Sequence, residues 1–515
     1  MNPLTRKLLI LTVLCAAVME LIDISIVNVA LSHMSGNLGA TIEDTSWVIT
    51  SYAIANVIII PITSFLTAKL GRRNYYISSI ILFTFCSFMC GNADNIWVLV
   101  FFRFFQGIGG GALLSVSQAV MFELFPKEKQ GIASAIFGIG VFIGPTIGPT
   151  LGGFITENYS WPWIFYINIP LGIATAISCY FLLTEPPIKP KVNAVDWTGI
   201  ALLAIGVGTL QTVLERGETE DWFATGYIIV FTVIAIISLT AFIIWELRVP
   251  NPVVNLRVLK SKTLSISAIL TFVTGIGMFT SIFLTPVIAQ RLLGFTPTES
   301  GMLLLPGAIL ALFALVISGK LLQKGVSPII IVAVGFAMFM LFSWNMSRIN
   351  PEVSAAAISL NLIYRAIGMA CLTVPLTSLA ISSLEPKDIP QGASLNNMMR
   401  QLGGSFGISI VNTYSAHRYA SHRVDLITHI TDTNPATISR LNGYTGYFQS
   451  KGISLIDAKH KAMALIDLSV VKQSTLLSYL DAFLLIGLLF ALTLPLLLFV
   501  IGKTKKGPVV VVSDH

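Results

Sequence analysis

Apolar runs of 18 to 28 residues, broken by short polar stretches, recur along the chain at 8–31, 46–68, 75–92, 96–121, 131–155, 163–184, 197–214, 225–245, 264–290, 300–322, 328–346, 354–381, 391–414 and 478–502. A helix needs about 20 apolar residues to cross the hydrocarbon core. The pattern therefore predicts fourteen spanning helices, with both chain ends on one side of the bilayer. Met1–Lys7 followed by an apolar run to Leu31 resembles a secretory signal, but the run is too long and lacks a small-residue cleavage site. It is read as the first span.

Composition agrees: of 515 residues, 54% are hydrophobic and only 11% charged, and a mean hydropathy of +0.80 excludes a soluble enzyme, a nucleic-acid binder and a disordered scaffold. The net charge of +7 is then loop charge. Nineteen of the 32 Lys and Arg residues fall on or beside the segments sharing a side with the N-terminus, from Arg6 and Lys7 to Lys503, Lys505 and Lys506. Only Arg216, Arg291 and Arg348 occupy the six short opposite loops. Because cytoplasmic loops retain such residues, both termini are expected to be cytoplasmic. Five cysteines, Cys15, Cys86, Cys90, Cys179 and Cys371, lie inside apolar runs, where they pack as small apolar side chains.

Polar stretches divide the spans into six, two and six. Glu185–Asp196, with Pro186, Pro187, Lys189, Pro190 and Lys191, and Glu246–Lys262 flank one helix pair. The expected architecture is all-α, with an N-terminal six-helix bundle at 1–184, an inserted transmembrane pair at 185–262 and a C-terminal six-helix bundle at 263–515. A long loop at 415–473 interrupts the last bundle. It holds His417, His422, His429 and His460, whose spacing matches no metal-ligand frame, and no metal or cofactor is expected. Its 453–472 segment is amphipathic and suits a helix on the outer leaflet or against a partner.

An ionisable side chain inside the bilayer costs at least about 2.5–3.5 kcal/mol, so each needs a reason. Glu20 and Asp23, three residues apart in the first span, share a helix face and titrate as a coupled pair; chemically, such a pair carries protons. Arg103 in the fourth span cannot release its proton and would tune those acids as its distance from them changes. Arg365 and Arg400, with Asn396, Asn397 and Gln401 on neighbouring turns, are the cations of the second half, suited equally to structural hydrogen bonding and to substrate contact. Asp481 is placed near the interface and explained by hydration, and Glu215 with Arg216 as a local turn pair. Gly144-Pro145-Thr146-Ile147-Gly148-Pro149-Thr150-Leu151-Gly152-Gly153 would break a soluble helix, but in a membrane it permits a bent span in close contact with a neighbour. Gly107 and Gly109–Gly111 follow no strand, so a dinucleotide loop is rejected, and Gly502-Lys503-Thr504 lacks the first glycine of a phosphate loop. Without a nucleotide site, an ion gradient has to drive any transport.

Leu21–Leu31, Leu70-Gly71-Arg72-Arg73, Arg103–Gly107, the glycine–proline series, Trp163–Pro170, Asp196-Trp197-Thr198-Gly199 and Arg400-Gln401-Leu402-Gly403-Gly404 together resemble the major facilitator superfamily. Within it they resemble the fourteen-span drug:proton antiporters of the EmrB/QacA type. The resemblance implies a major facilitator fold in the bacterial inner membrane and export of hydrophobic or amphipathic toxic compounds in exchange for protons, by alternating access and without enzymatic turnover. Partners would be a periplasmic adaptor of the EmrA type and an outer-membrane channel of the TolC type. It makes Asp23 and Arg103 the coupling pair, with Glu20 beside them, and Gly144, Pro145, Gly148, Pro149, Gly152 and Gly153 the helix contact typical of exporters. Substrate contacts are expected from Asn28, Gln106, Arg365, Asn396, Asn397 and Arg400. Ser64 and Ala68 stand where the family has glycine and aspartate, so the usual charge relay after the second span is incomplete; Lys69, Arg72 and Arg73, flanking Gly71, would engage Glu123 instead. A dedicated exporter of an endogenous metabolite or siderophore is the alternative reading.

Overall fold

The computed structural model describes residues 2–126, 129–185, 196–250, 252–382, 384 and 388–497. The Pro/Lys-rich linker at 186–195, Lys127, Lys387 and the tail containing Gly502, Lys503, Lys505 and Lys506 lie outside them. The helices are α1 (Pro3–Leu38), α2 (Ile42–Leu70), α3 (Arg72–Gly91), α4 (Ile96–Glu123), α5 (Gln130–Asn158), α6 (Trp163–Tyr166), α7 (Asn168–Leu182), α8 (Trp197–Arg216) and α9 (Gly226–Arg248). They continue with α10 (Lys262–Arg291), α11 (Pro297–Met302), α12 (Leu305–Gln323), α13 (Pro328–Met346), α14 (Ala355–Ser382), α15 (Ile389–Thr428), α16 (Pro435–Ser450) and α17 (Leu455–Thr493).

Short polar residues start them, because the first turn of a helix has N–H groups without partners. Asn2, Thr41, Asn95, Asp196, Ser261 and Ser454 each accept a backbone N–H at a helix start, and Thr296 with Glu299 forms a capping box at α11. Gly39 ends α1 at φ 61°, a conformation that suits glycine.

Thirteen helical segments among the described residues are long and apolar enough to span a membrane, α6–α7 and α11–α12 each counting as one. The remaining expected span, 391–414, is α15. Its Asn396, Asn397, Arg400 and Gln401 make it more polar than the others, and it is sheltered by packing against α10, α2 and α4. α1 packs mainly on α5, α2 on α4, α10 on α15, and α14 on α12 and α13. α8 and α9 pack on each other, with α8 also touching α2 and α15.

Three expectations need correction. The 415–473 segment is not a loop: α15 runs through to Thr428, α16 follows, and α17 begins at Leu455 and continues into the last span. At about 1.5 Å per residue, a 39-residue α17 extends the span out of the bilayer, so its 453–472 portion cannot lie flat on a leaflet. Asp481 is not merely hydrated: Arg418 Nε donates to its Oδ2 at 2.5 Å, and His422 Nε2 lies 2.8 Å from the same oxygen, tying α15 to α17. Glu215 and Arg216 face different partners. Gln211 Nε2 donates to Glu215 at 3.0 Å, whereas Arg216 reaches Ser46 at 2.6 Å and Glu220 at 3.3 Å; successive helical residues point about 100° apart.

Candidate functional site: a buried acid and its arginine

Asp23 is fully buried where α1 meets α2, α4 and α7. Arg103 Nη1 donates to its Oδ2 at 2.5 Å, while Gln106 Nε2 and Asn168 Nδ2 donate to Oδ1 at 3.0 and 2.9 Å. Gln106 also accepts from Arg103 at 3.0 Å, so it bridges the two charges. Arg103 Nε donates to the Val48 carbonyl at 3.2 Å, and its guanidinium stacks 4.1 Å from the Tyr52 ring centroid. Both members of the pair are at most 1% exposed. A charge pair this dry persists only if nearly every polar atom is satisfied, and here Gln106, Asn168, the Val48 carbonyl and the Tyr52 ring do so. Gln106, expected among substrate contacts, is thus buried inside the acid–arginine network. Asn28, five residues further along α1, is exposed and donates only to the Ile24 carbonyl at 3.5 Å.

Glu20 sits on the same helix but in a different environment. Asn56 Nδ2 of α2 donates to its Oε1 at 2.9 Å, and Oε2 has no hydrogen-bond partner among the described residues. Among the described residues no cation lies within ion-pairing distance of it. The two acids therefore share a helix face without sharing a counter-ion.

α5 carries the close contact to this part of α1. Gly144, Gly148 and Gly152 lie one turn apart on its α1-facing side. A Cβ on Gly144 would fall 2.4 Å from Leu21 Cβ, one on Gly148 1.8 Å from Ser25 Oγ, and one on Gly152 2.8 Å from Ile26. Only glycine lets the backbones come this near. Pro145 and Pro149 lie inside the same helix, and both, with Gly153, are buried.

At the α2–α3 corner Arg72 pairs with Glu123 of α4 and donates to the Thr184 carbonyl at 2.9 Å. Arg73 stacks on Tyr180, 4.5 Å from its centroid. Glu185 accepts the backbone N–H of Arg72 at 3.1 Å and of Arg73 at 3.0 Å, placing a carboxylate on the positive end of α3. Gly71 turns the chain at φ 86°, and a Cβ there would meet Glu185 Oε1 at 2.8 Å.

In the second half, Asn396 accepts from Thr271 at 2.9 Å, and Asn397 donates to Gln118 of α4 at 2.8 Å. Ser64 of α2 hydrogen-bonds Gln391 of α15. Since successive spans alternate in direction, these bonds join α2 and α4 to α15 on the side where α1 begins. On the opposite side Thr298 donates to Glu157 at 2.8 Å. Arg365 donates to Ser281 at 3.2 Å, and Arg400 is buried.

Asn168, Asn56, Tyr52, Gln118 and Glu185 were not singled out from sequence. The available signal was a polar side chain within an apolar run, or for Glu185 an acid just past the end of one, which has no visible partner until another helix supplies it.

Comparison with known proteins identifies the family. A family model described as Major Facilitator Superfamily matches residues 13–408. The chain is 32% identical over 485 residues to the "Multidrug export protein EmrB" of Escherichia coli (strain K12), covering 94% of this chain and 93% of that protein. It is 30% identical over 481 residues to the "Fatty acid resistance protein FarB" of Neisseria gonorrhoeae, covering 93% of each. Among solved structures, the proton:xylose symporter XylE aligns with a TM-score of 0.62 at 12% identity over 98% of both chains, a likeness of fold alone. The chain is a multi-pass membrane protein of the major facilitator superfamily, in its EmrB-like branch.

Proposed function

We propose that the protein is a proton-coupled multidrug efflux antiporter of a bacterial inner membrane, exporting hydrophobic or amphipathic compounds by alternating access between a six-helix bundle at 1–184 and another at 263–515, with both termini cytoplasmic. The observation that carries this reading is the fully buried Asp23–Arg103 pair, in a chain extensively similar to multidrug exporters. A proton on Asp23 cancels its charge and weakens its hold on Arg103. The permanent cation then keeps Gln106, the Val48 carbonyl and the Tyr52 ring, while α1 is freed to shift against α4. Loss of the proton restores the pair. The glycine contact lets α1 move with α5 as one body, and the bonds of Asn397 and Ser64 across to the other half hold one end state closed on the α1-start side.

One proton moving inward releases about 2.3 kcal/mol per 100 mV and about 1.4 kcal/mol per pH unit, enough to drive uphill export of a neutral compound. The similarity to EmrB also supports work with an EmrA-type adaptor and a TolC-type channel, for which the helical projection of α15–α17 is the available extramembrane surface.

The test is proton release from purified protein in weakly buffered solution. Adding exporter substrates of several unrelated structures is expected to release protons from the parent. Binding of those compounds with no proton released at any pH would refute antiport. Glu20→Gln is expected to retain transport but to change substrate range or proton stoichiometry, because Glu20 has no ion-pair partner among the described residues and its loss leaves the Asp23 network intact. Unchanged proton-to-substrate ratios and unchanged relative rates for neutral and cationic compounds would count against that role.

A further inference from the structure

The inserted helix pair takes no part in the proton chemistry, and it is the part of the molecule most open to lipid. Only 22% of the most apolar stretch of α9 is buried, against 61% for α1. At the end of α9 that lies on the α1-start side, a cleft of about 490 Å³ opens along Ala241, Ile244, Trp245 and Arg248, with Leu202 of α8 and Pro250 completing it. Residues three and four apart share a helix face, so the α9 side chains form one stripe that runs from apolar positions to a cation.

The charges around this cleft are sorted. Glu246 is fully buried and accepts the Val254 N–H at 3.3 Å. Asp196 accepts the Gly199 N–H at 2.8 Å, and both of its oxygens lie 2.9 Å from the Trp245 indole nitrogen, which donates to them. A Cβ on Gly199 would stand 2.5 Å from Glu246 Oε1 and 2.6 Å from Asp196 Oδ2, so both carboxylates crowd the first turn of α8. Arg257 donates to the Leu247 and Val249 carbonyls at 3.1 and 2.9 Å and so covers the negative end of α9. Arg248 is therefore not needed there. It is exposed, and among the described residues its guanidinium has neither a hydrogen bond nor an acid within ion-pairing distance. The Trp245 ring, exposed but held by Asp196, stands beside it, and tryptophan marks the headgroup level of a bilayer.

We propose that this cleft holds one acidic phospholipid, its phosphate paired with Arg248, its glycerol region against Trp245 and an acyl chain along Ile244, Ala241 and Leu202. The exporter reading enters only through the leaflet, since it makes the α1-start side cytoplasmic. Guanidinium binds phosphate through paired hydrogen bonds, and basic pockets between spans on the cytoplasmic side take anionic headgroups. The headgroup has to be acidic because the site offers a cation and no free carboxylate: Asp196 and Glu246 are both engaged, so a choline or ethanolamine finds no partner. A lipid seated here backs the face of α8 whose Leu203 and Val207 pack with Phe242 of α9 on Val57, Ile62 and Phe65 of α2.

The experiment is a lipid titration of the purified full-length protein in detergent, read by native mass spectrometry. It involves neither transport nor protons, so its failure leaves the exporter reading standing. The probes are phosphatidylglycerol and phosphatidylcholine with identical acyl chains, and inorganic phosphate alone. The parent is expected to bind its first phosphatidylglycerol about tenfold more tightly than its first phosphatidylcholine, as a charge-assisted pair implies. Arg248→Gln should remove that preference, Arg248→Lys should keep part of it, and Ala241→Trp, which fills the cleft, should weaken both lipids. Arg348→Gln removes another exposed arginine, 4.0 Å from the Trp344 ring centroid at the opposite membrane face, and should change nothing. Equal first affinities for the two lipids in the parent overturn the proposal. So does an equal loss in Arg248→Gln and Arg348→Gln, which would reduce the effect to diffuse charge. Phosphate alone binding with the same dependence on Arg248 would make this an ion site and overturn the lipid assignment. If Arg248→Gln does not fold, the parent's ranking together with Arg248→Lys and Ala241→Trp decides.

Discussion

Asp23→Asn is expected to abolish proton-driven efflux, by at least a hundredfold in gradient-dependent transport, while energy-independent substrate binding stays within a few-fold of the parent. The amide fills the same volume and can keep neutral hydrogen bonds to Gln106 and Asn168. It cannot pick up and release a proton near neutral pH, and it leaves Arg103 permanently without its counter-ion, bonded only to Gln106 and Val48. Removing one member of a buried ion pair costs about 3–5 kcal/mol, so some loss of thermal stability should accompany the loss of coupling. Substrate-driven proton uptake in proteoliposomes is the deciding measurement. Undiminished pH-dependent transport by the variant would remove Asp23 from the coupling step.

The second large effect is expected at Gly144. Its missing Cβ would fall 2.4 Å from Leu21 Cβ and 3.2 Å from the Leu21 carbonyl carbon. Neither atom is the free end of a flexible side chain, so Gly144→Ala forces α1 and α5 apart just two residues from Asp23. Overpacking of a fitted contact costs about 1–3 kcal/mol, and transport should fall further than stability because α1 carries the acid. Gly446→Ala in α16, where a Cβ would meet nothing within 4 Å, is the control and should leave both unchanged. Melting temperature and efflux rate measured on the same preparations check this. Equal behaviour of the two variants would show that the α1–α5 contact tolerates a methyl group and that the close approach has no part in transport.

Much of the membrane architecture was legible because hydrophobicity along a spanning helix is a one-dimensional property. The lipid core demands about 20 apolar residues per crossing, and short caps such as Thr41 and Asn95 mark the starts. α15 is the instructive exception: its span was visible as a run between Gln391 and Tyr414, yet its polar side chains are acceptable only because α10, α2 and α4 surround it. The 415–473 segment was misjudged for the converse reason. Its polarity shows that it leaves the bilayer, but polarity cannot distinguish a loop from helices that continue past the membrane surface and pair through Arg418, His422 and Asp481.

By itself the sequence determined that the chain is threaded through a membrane many times, that its first span carries two acids and its fourth an arginine, and that α5 is built for close contact, since each follows from residue type and spacing. Residue type and spacing could not say which acid meets the arginine; the resemblance named Asp23, and only tertiary structure shows why. Glu20 and Asp23 are three residues apart and equivalent by any periodicity argument, yet α2 offers one an amide while α4 and α7 offer the other a cation and two amides. It also decided that, among the described residues, no acid pairs with Arg365 or Arg400. Charge pairing depends on separations of a few ångströms between helices remote in sequence, and that distance is set by packing.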